Sequence, residues 1–391
     1  MTPERIRPVD AAACARAVTE SAAASQTLRV RGAGTKDYLG EMMPTDAVLE
    51  TTALSGIIAH VPADLTVSVA AGTPFTDLRS VLAKAGQFLP LDPPHSDTAT
   101  IGGIVAANST GFWRARYGGV RDLLIGTTAV LGDGTLAHSG GRVVKNVAGY
   151  DLNKLFVGSL GTLGVLVECT FKVVPVPSAT AGVRARFTQS ADAFAAADQV
   201  ARTSARPAAL VVVGGGDGGW ELLLQADGDR APVARTLELF ASAARDSGGS
   251  AQRDDAIAVS LSTLREMPAN TEGVIVRASI PVAAQGAYAE SAARLDGFAQ
   301  LVGDAATGIV RVRIRGDDYV EMEGANALMA AAHVCGGSAQ AERRPRELHR
   351  RLRPWWTAPS GLELMLRLKA AFDPRGVLEP GRCAADGKFA A

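Results

Sequence analysis

Residues 158–168 read Gly-Ser-Leu-Gly-Thr-Leu-Gly-Val-Leu-Val-Glu, and this stretch decides the fold of the 391-residue chain. Three glycines at a spacing of three run directly into an alternating pattern that predicts a strand over 165–174. Glycine reaches backbone angles that a Cβ forbids, and it lets a flat ligand lie against the main chain. The segment therefore predicts a strand whose entrance presents bare backbone to a ring system.

The first glycine turn in chain order lies near the N-terminus, where Arg31-Gly-Ala-Gly-Thr-Lys36 follows a strand predicted over 28–31, and the turn at 158–164 is the third. Gly32 and Gly34 allow consecutive amide groups to point into one concavity, and such a nest binds anions. Thr35 adds a hydroxyl donor, and Lys36 can neutralise charge at the rim. The alternative interpretation is a tight surface turn with no ligand.

The second turn in chain order, Thr100-Ile-Gly-Gly103, continues into Ala106-Ala-Asn-Ser-Thr-Gly111 and predicts a helix start packed closely on a ligand. Asn108 can hydrogen bond to a ring or phosphate edge. A helix of small residues packed only against its own sheet is the alternative. Together with the polar loop at 145–152, the three turns favour one long ligand with a phosphate part and a planar part.

The composition excludes several classes of protein. Hydrophobic residues make up 47% of the chain, charged residues 20%, and the formal net charge is +0, so a nucleic-acid partner is not expected. No apolar run approaches the ~20 residues that span a bilayer, and residues 1–7 show no signal-peptide core, so we expect a cytoplasmic protein. The four cysteines and five histidines form none of the usual ligand spacings, and no metal site is predicted.

Pro175-Val-Pro177 predicts a domain boundary, because two prolines end a sheet strand and begin a linker. Beyond it, strands alternate with helices and hairpins, which predicts an α+β sheet covered by helices on one side. The helices are expected at 190–203, 232–246, 286–301, 318–333 and 360–372. The motif Gly214-Gly-Gly-Asp-Gly-Gly219 matches a dinucleotide fingerprint, but a strand pattern follows it, so we predict a hairpin loop and reject a Rossmann site.

The three turns, in this order and spacing, resemble the FAD-binding domain of the vanillyl-alcohol oxidase / p-cresol methylhydroxylase (PCMH-type) flavoprotein family. More narrowly, the strings at 140–152 and 158–165 are similar to those of the FAD-binding E subunits of bacterial glycolate oxidase (glycolate dehydrogenase). The resemblance covers 28–178 and the closing segment Phe372–Arg382. It implies an α+β fold with a two-subdomain PCMH-type FAD-binding domain at 1–178, an α+β cap domain with an antiparallel sheet at 179–340, and a C-terminal segment at 341–391 that returns to the FAD domain.

The resemblance also implies which residues contact the cofactor. They are Arg31, Gly32, Ala33, Gly34, Thr35 and Lys36 at the pyrophosphate; Thr100, Ile101, Gly102, Gly103, Asn108 and Gly111 along the phosphate and ribityl chain; Gly161, Gly164 and Val165 on the adenine and ribityl side; and Arg116 and Tyr117 near the flavin end. Covalent relatives carry a histidine in the first turn. This turn has none, so the FAD is expected to be non-covalent.

The function implied is that of a FAD-binding subunit that supports oxidation of glycolate, a small 2-hydroxy acid, to glyoxylate. Its expected partners are a flavin-containing D-type catalytic subunit and an iron–sulfur subunit, and a peripheral location at the inner face of the membrane through that complex stays open. Two departures from the family stand out: 333–340 lacks the paired histidines of a H-G-D-G-N-x-H type string, and Glu379 replaces the asparagine of the closing segment.

Two further functions remain open, a self-sufficient FAD-linked 2-hydroxy-acid or sugar oxidoreductase and a non-catalytic scaffold that keeps the flavin fold. No catalytic base is assigned. Tyr150, His333, Arg343 and Arg344 are the candidates, and a structural role is the favoured interpretation of each of them.

Overall fold

The computed structural model describes residues 3–41, 43–141, 151–215, 219–269 and 272–382. Its strands, numbered along the chain, are β1 (Glu4–Ile6), β2 (Leu28–Arg31), β3 (Ala47–Glu50), β4 (Ile57–Val61), β5 (Thr66–Ala70), β6 (Gln87–Phe88), β7 (Leu124–Val130), β8 (Leu136–Gly140), β9 (Val165–Lys172), β10 (Val174–Pro175), β11 (Ala179–Phe187), β12 (Ala209–Gly214), β13 (Trp220–Gly228), β14 (Ser250–Arg253), β15 (Val274–Ser279), β16 (Phe298–Asp304), β17 (Ile309–Ile314) and β18 (Ser338–Arg343).

The helices follow the same numbering. They are α1 (Ala11–Ala23), α2 (Phe75–Lys84), α3 (Ile101–Ala106), α4 (Arg114–Tyr117), α5 (Val120–Leu123), α6 (Asn153–Phe156), α7 (Ser190–Ala201), α8 (Arg230–Asp246), α9 (Ile257–Arg265), α10 (Gln285–Ala293), α11 (Asp318–Val334) and α12 (Leu362–Phe372). Among these described helices, none is both long enough and apolar enough to cross a membrane.

The chain divides into two compact units. The first takes the described residues up to Gly111, then Gly118–Val176, and again those from Ala358 onward. The second takes Phe112–Tyr117 and Pro177–Thr357. The second unit therefore begins at the Pro175-Val-Pro177 segment and also includes a short piece of the N-terminal half.

The first unit contains a three-stranded parallel sheet in the order β1-β3-β2 and a five-stranded antiparallel sheet in the order β4-β5-β9-β7-β8. Strand β9 lies at the centre of the five-stranded sheet and is buried on both faces. Val165 and Val167 pack into the core formed with α1, whereas Leu166 and Phe171 pack into the core formed with α2 and α3. A register irregularity lies between the pairs Thr128–Glu168 and Ala129–Leu166, and it separates the apolar run Val165–Val167 from the alternating residues that follow it.

The second unit is built on an eight-stranded sheet in the order β14-β11-β13-β12-β16-β17-β15-β18, in which every pairing is antiparallel. Helices α7, α8, α10 and α11 cover one face and bury the largest core. Helix α9 covers part of the opposite face, where Ile257 and Leu261 pack with Val211 and Leu223. The predicted fold class, an α+β protein with an antiparallel cap sheet, is confirmed.

One predicted helix is wrong. Residues 286–301 form helix α10 only as far as Ala293, and strand β16 then begins at Phe298. Gly297 adopts a φ of +75°, and the amide of Phe298 bonds to the carbonyl of Leu295 at 3.1 Å, so a turn separates the two elements. The predicted hairpin between β12 and β13 is confirmed, because Gly214 pairs with Trp220, while residues 216–218 of its loop lie outside the described residues.

Candidate functional site

The three glycine turns line one cleft within the first unit. About 620 Å³ of its space contains no protein atom, and part of that space is open to solvent. Eleven of the seventeen expected cofactor residues line it: Arg31, Gly32, Ala33, Gly34, Thr35, Lys36, Thr100, Gly102, Gly103, Gly161 and Gly164. The chain therefore brings segments that are about 70 and 60 residues apart in sequence to one surface.

The first turn presents amide groups that the protein does not use. Among the described residues, the N–H groups of Gly32, Ala33, Gly34 and Thr35 donate no hydrogen bond to another part of the chain. Gly34 adopts a φ of +76°, and Arg31 folds over its own turn to pair with Asp37 at 2.9 Å. Consecutive free amides beside a cleft form a nest that fits an anion.

The second turn behaves differently, because the protein uses its amides. Thr100 caps helix α3, and its hydroxyl accepts the amide of Gly103 at 3.4 Å. The amide of Gly102 donates to the carbonyl of Ala71 at 2.6 Å. A Cβ on Gly32 would collide with the Thr100 hydroxyl, so this glycine lets the first and second turns approach each other.

The third turn is joined to the end of helix α3. The amide of Leu160 donates to the carbonyl of Ala106 at 2.8 Å, and that of Gly158 donates to Val105 at 3.1 Å. Leu160 has a φ of +52° and Gly161 one of +82°. A non-glycine residue in this region is uncommon and typical of strained backbone near functional sites.

Arg382 lines the cleft from the far end of the sequence. Its Nη2 donates to the carbonyl of Lys36 at 2.7 Å, and its Nη1 pairs with Glu379 at 3.3 Å. Glu379 in turn accepts the amide of Val30 at 2.8 Å, and burial raises the pKa of this carboxyl. The lining thus carries three cationic side chains, from Arg31, Lys36 and Arg382, against the one carboxylate of Asp37.

Lys36 is not at an open rim. Its side chain is buried, and its ammonium group donates to the carbonyl of Pro94 at 2.9 Å. This bond ties the first turn to the rigid Pro90–Pro94 segment, so Lys36 has a structural role in addition to its positive charge at the cleft.

Six expected residues do not line the cleft. Ile101 and Val165 are buried in the two cores of the first unit, because their side chains point away from the turn backbone. Asn108 is exposed with a φ of +46°, and the amide of Gly111 bonds to Asp92 at 3.0 Å. The remaining two, Arg116 and Tyr117, belong to the second unit.

Within that unit both side chains have partners. The Tyr117 hydroxyl donates to Asp227 at 3.1 Å, and burial together with that carboxylate raises the pKa of Tyr117. Arg116 donates to the carbonyl of Arg206 at 3.1 Å. These contacts give both residues a role in packing segment 112–117 onto the cap sheet.

Two of the four candidate bases have structural partners. Arg343 donates to the carbonyl of Pro268 at 2.8 Å, and the buried Arg344 donates to that of Leu352 at 2.6 Å. His333 is exposed near the end of α11. Tyr150 and most of the loop at 145–152 lie outside the described residues.

Sequence reasoning missed eight residues of the lining. They are Val30, Asp37, Thr51, Ala106, Ala107, Leu160, Leu166 and Arg382. Seven of them lie in the cleft because residues beside them in the sequence, or paired with them in a sheet, also lie there. Arg382 had a signal, the Pro380-Gly-Arg382 sequence of the closing segment, but no local pattern indicates that this segment reaches the first turn.

Comparison with known proteins identifies relatives that are similar to this chain in sequence. The family model described as "FAD binding domain" matches residues 4–140. Glycolate oxidase subunit GlcE of Escherichia coli (strain K12) is 42% identical over 158 residues, which cover 40% of this chain and 45% of that protein. Glycolate oxidase subunit GlcD of Bacillus subtilis (strain 168) is 30% identical over an alignment of 389 residues, and the match covers 90% of this chain and 82% of that protein.

A solved structure supports the fold. The 4-ethylphenol oxidase from Gulosibacter chungangensis superposes with a TM-score of 0.73 at 16% identity, covering 97% of this chain and 88% of that one. At this level of identity the likeness concerns the fold alone.

Proposed function

This chain belongs to the PCMH-type family of FAD-dependent oxidoreductases, and we propose that it is the FAD-binding subunit of a glycolate oxidase complex, supporting oxidation of glycolate to glyoxylate. The observation that carries the cofactor part is the free amide nest of the first turn, which faces a cleft bordered by three cationic side chains. An FAD diphosphate is an anion that such a nest would bind without covalent attachment.

Bound FAD supplies hydride acceptance, and the residues of this chain would bind and orient it. The first turn and Arg382 would hold the diphosphate. Gly161 and Gly164 would lie against a flat part of the cofactor, since neither has a side chain to keep it at a distance.

The cap sheet supports an acidic substrate. On the face opposite the four covering helices, Arg277 lies directly across from Arg311, and Arg313 follows two residues later. Like charges at directly opposite positions are unfavourable, and Glu342 pairs with Arg311 at 2.7 and 3.0 Å. We propose that a small carboxylate, such as that of a 2-hydroxy acid, meets this arginine-bearing face of the sheet.

The subunit role rests on the narrower likeness to the GlcE protein, whose name describes it as a subunit of glycolate oxidase. In that role the chain would work in the cytoplasm with a D-type flavin subunit and pass electrons to an iron–sulfur subunit, and the complex would be peripheral to the membrane. Purification from the native source, followed by an absorbance spectrum and mass identification of the accompanying chains, tests this assignment. An isolated, colourless chain without partners would contradict it.

The GlcD relative gives the second candidate, because its match extends over 90% of this chain. A self-sufficient 2-hydroxy-acid oxidoreductase would reduce its own flavin. Anaerobic addition of glycolate or D-lactate to the purified, FAD-loaded chain separates the two. Bleaching of the flavin spectrum without any partner favours self-sufficiency, and bleaching only after the partner subunits are added favours the subunit role.

A further inference from the structure

The closing segment 369–382 binds two turns of the cleft at once. The ammonium of Lys369 donates to the carbonyl of Thr162 in the third turn at 2.9 Å and is paired with Asp373 at 2.6 Å. Ten residues later, Glu379 accepts the amide of Val30, and Arg382 donates to the carbonyl beside the first turn. The segment therefore fixes the distance between two turns that lie more than 120 residues apart in sequence.

Arg382 is an unusual side chain in this arrangement. Only 5% of it is exposed, yet it lines the cleft. Its Nε has no hydrogen-bond partner among the described residues, and its contacts with Glu379 are long, at 3.3 and 3.5 Å. Burying a cation with an unused donor is costly unless an anion completes its hydrogen bonds.

Glu379 shows that the site is built rather than incidental. It is 1% exposed and adopts a φ of +47°, a backbone conformation that a glutamate rarely takes. One carboxylate oxygen is used by the amide of Val30, so Glu379 holds strand β2 as well as Arg382. The acid orients the guanidinium without fully satisfying it.

We propose that Arg382 is an anchor for the diphosphate of the cofactor, held at the cleft by Glu379 and by the carbonyl of Lys36. This inference rests on the proposed flavin site. A guanidinium offers parallel N–H donors that match phosphate oxygens, and it would face the same anion as the amide nest of residues 32–35. The closing segment would thereby fix the positions of the turns and also supply a positive charge that neutralises the cofactor.

The test compares Arg382→Gln with Arg375→Gln in the full chain stripped of cofactor. Arg375 lies in the same segment, binds the carbonyl of Ala22 at 2.8 Å and does not line the cleft, so its replacement is the matched control. Binding is measured for three probes, FAD, ADP and riboflavin. ADP carries the diphosphate without the flavin, and riboflavin carries the flavin without any phosphate.

For Arg382→Gln we expect FAD and ADP to bind about 10- to 100-fold more weakly, because a hydrogen bond to a charged group is lost, while riboflavin binding stays unchanged. Arg382→Lys should recover part of the affinity, and the affinity of Arg382→Gln for FAD should depend less on salt than that of the unmodified chain. Arg375→Gln should behave as the unmodified chain with all three probes.

Two results would overturn the inference. Equal losses of ADP and riboflavin affinity would mean that Arg382 only maintains the turn, and unchanged ADP affinity would mean that it does not meet the diphosphate. If the unmodified chain binds none of the three probes, the proposed flavin site itself fails, which is a different outcome from a failure of Arg382 alone.

Discussion

Replacing Gly34 by valine tests whether the first turn holds the cofactor. Gly34 has a φ of +76°, and a side chain in this region costs about 1–2 kcal/mol. Its Cβ would also collide with the guanidinium of Arg31, which would then have to leave Asp37. That pair is about one-third exposed on each side, so its loss adds at most about 1 kcal/mol. The total of about 1–3 kcal/mol is confined to one turn.

The free turn can relax to reduce this strain, whereas the bound turn must keep its amides aligned. We therefore expect the affinity for FAD to fall by about 5- to 150-fold, since about 1.4 kcal/mol corresponds to a factor of ten. Titration of the cofactor-free chain, followed by flavin fluorescence, gives the Kd. Urea unfolding of the same sample shows how much of the energy appears as lost stability.

The chain offers a matched control in Gly248, which lies after helix α8 in the second unit. Its φ is +77°, nearly that of Gly34, and no neighbouring atom lies within 4 Å of a Cβ built there. Gly248→Val should lower the free energy of unfolding and leave the Kd for FAD unchanged. A wild-type Kd in Gly34→Val, or an equal loss of affinity in Gly248→Val, would refute the reasoning.

Three further changes give distinct outcomes. Gly161 has a φ of +82°, and a Cβ built there would lie 3.3 Å from Cγ of Glu379. Gly161→Val should therefore reduce the amount of FAD that is retained after purification, and full retention would show that the third turn does not contact the cofactor. Lys36→Met should lower the stability of the cofactor-free chain by about 1.5–3 kcal/mol in urea unfolding, because the buried bond to Pro94 is lost, and an unchanged midpoint and slope would contradict this. Burial raises the pKa of Asp304 to about 6, so the folded chain holds the carboxyl proton of Asp304 more tightly than the unfolded chain does. The free energy of unfolding should therefore fall as the pH rises from the ordinary aspartate range to above 6. Asp304→Asn should remove roughly 3 kcal/mol of that dependence, and identical pH profiles of the two proteins would rule out this origin.

The sequence predicts those parts of the fold that local patterns determine. Strand β2 begins and ends at the predicted residues 28 and 31, and the hairpin at Gly214 follows from the strand pattern at Trp220. The helix predicted over 286–301 is wrong in its second half because the Leu295-Asp-Gly297 turn is short and its flanks are apolar on both sides. Tertiary pairing with β12 and β17 then determines that Phe298 begins a strand.

For the candidate site, too, the sequence predicts the local features and not the long-range contacts. The glycines of the three turns are visible in the sequence, but their separate purposes are not. Gly32 faces the Thr100 hydroxyl and Gly102 faces Ala71, so both allow close packing of the chain on itself. Contacts of this kind depend on partners 30 to 70 residues away, and Arg382 depends on a partner 346 residues away, which no local pattern can specify.

The part of the cleft that would bind a phosphate depends on which backbone amides are not already donating hydrogen bonds within the protein. A helix N-terminus is often an anion site because its first amides are free. Helix α3 does not fit this description, since its first three amides donate to Thr73, Ala71 and the Thr100 hydroxyl. We therefore propose that the negative charge is met by the free amides of residues 32–35 and by the guanidinium of Arg382. It follows that changes in the first turn and at Arg382 should affect diphosphate affinity, whereas changes at Gly102 should act through the packing of α3 on Ala71.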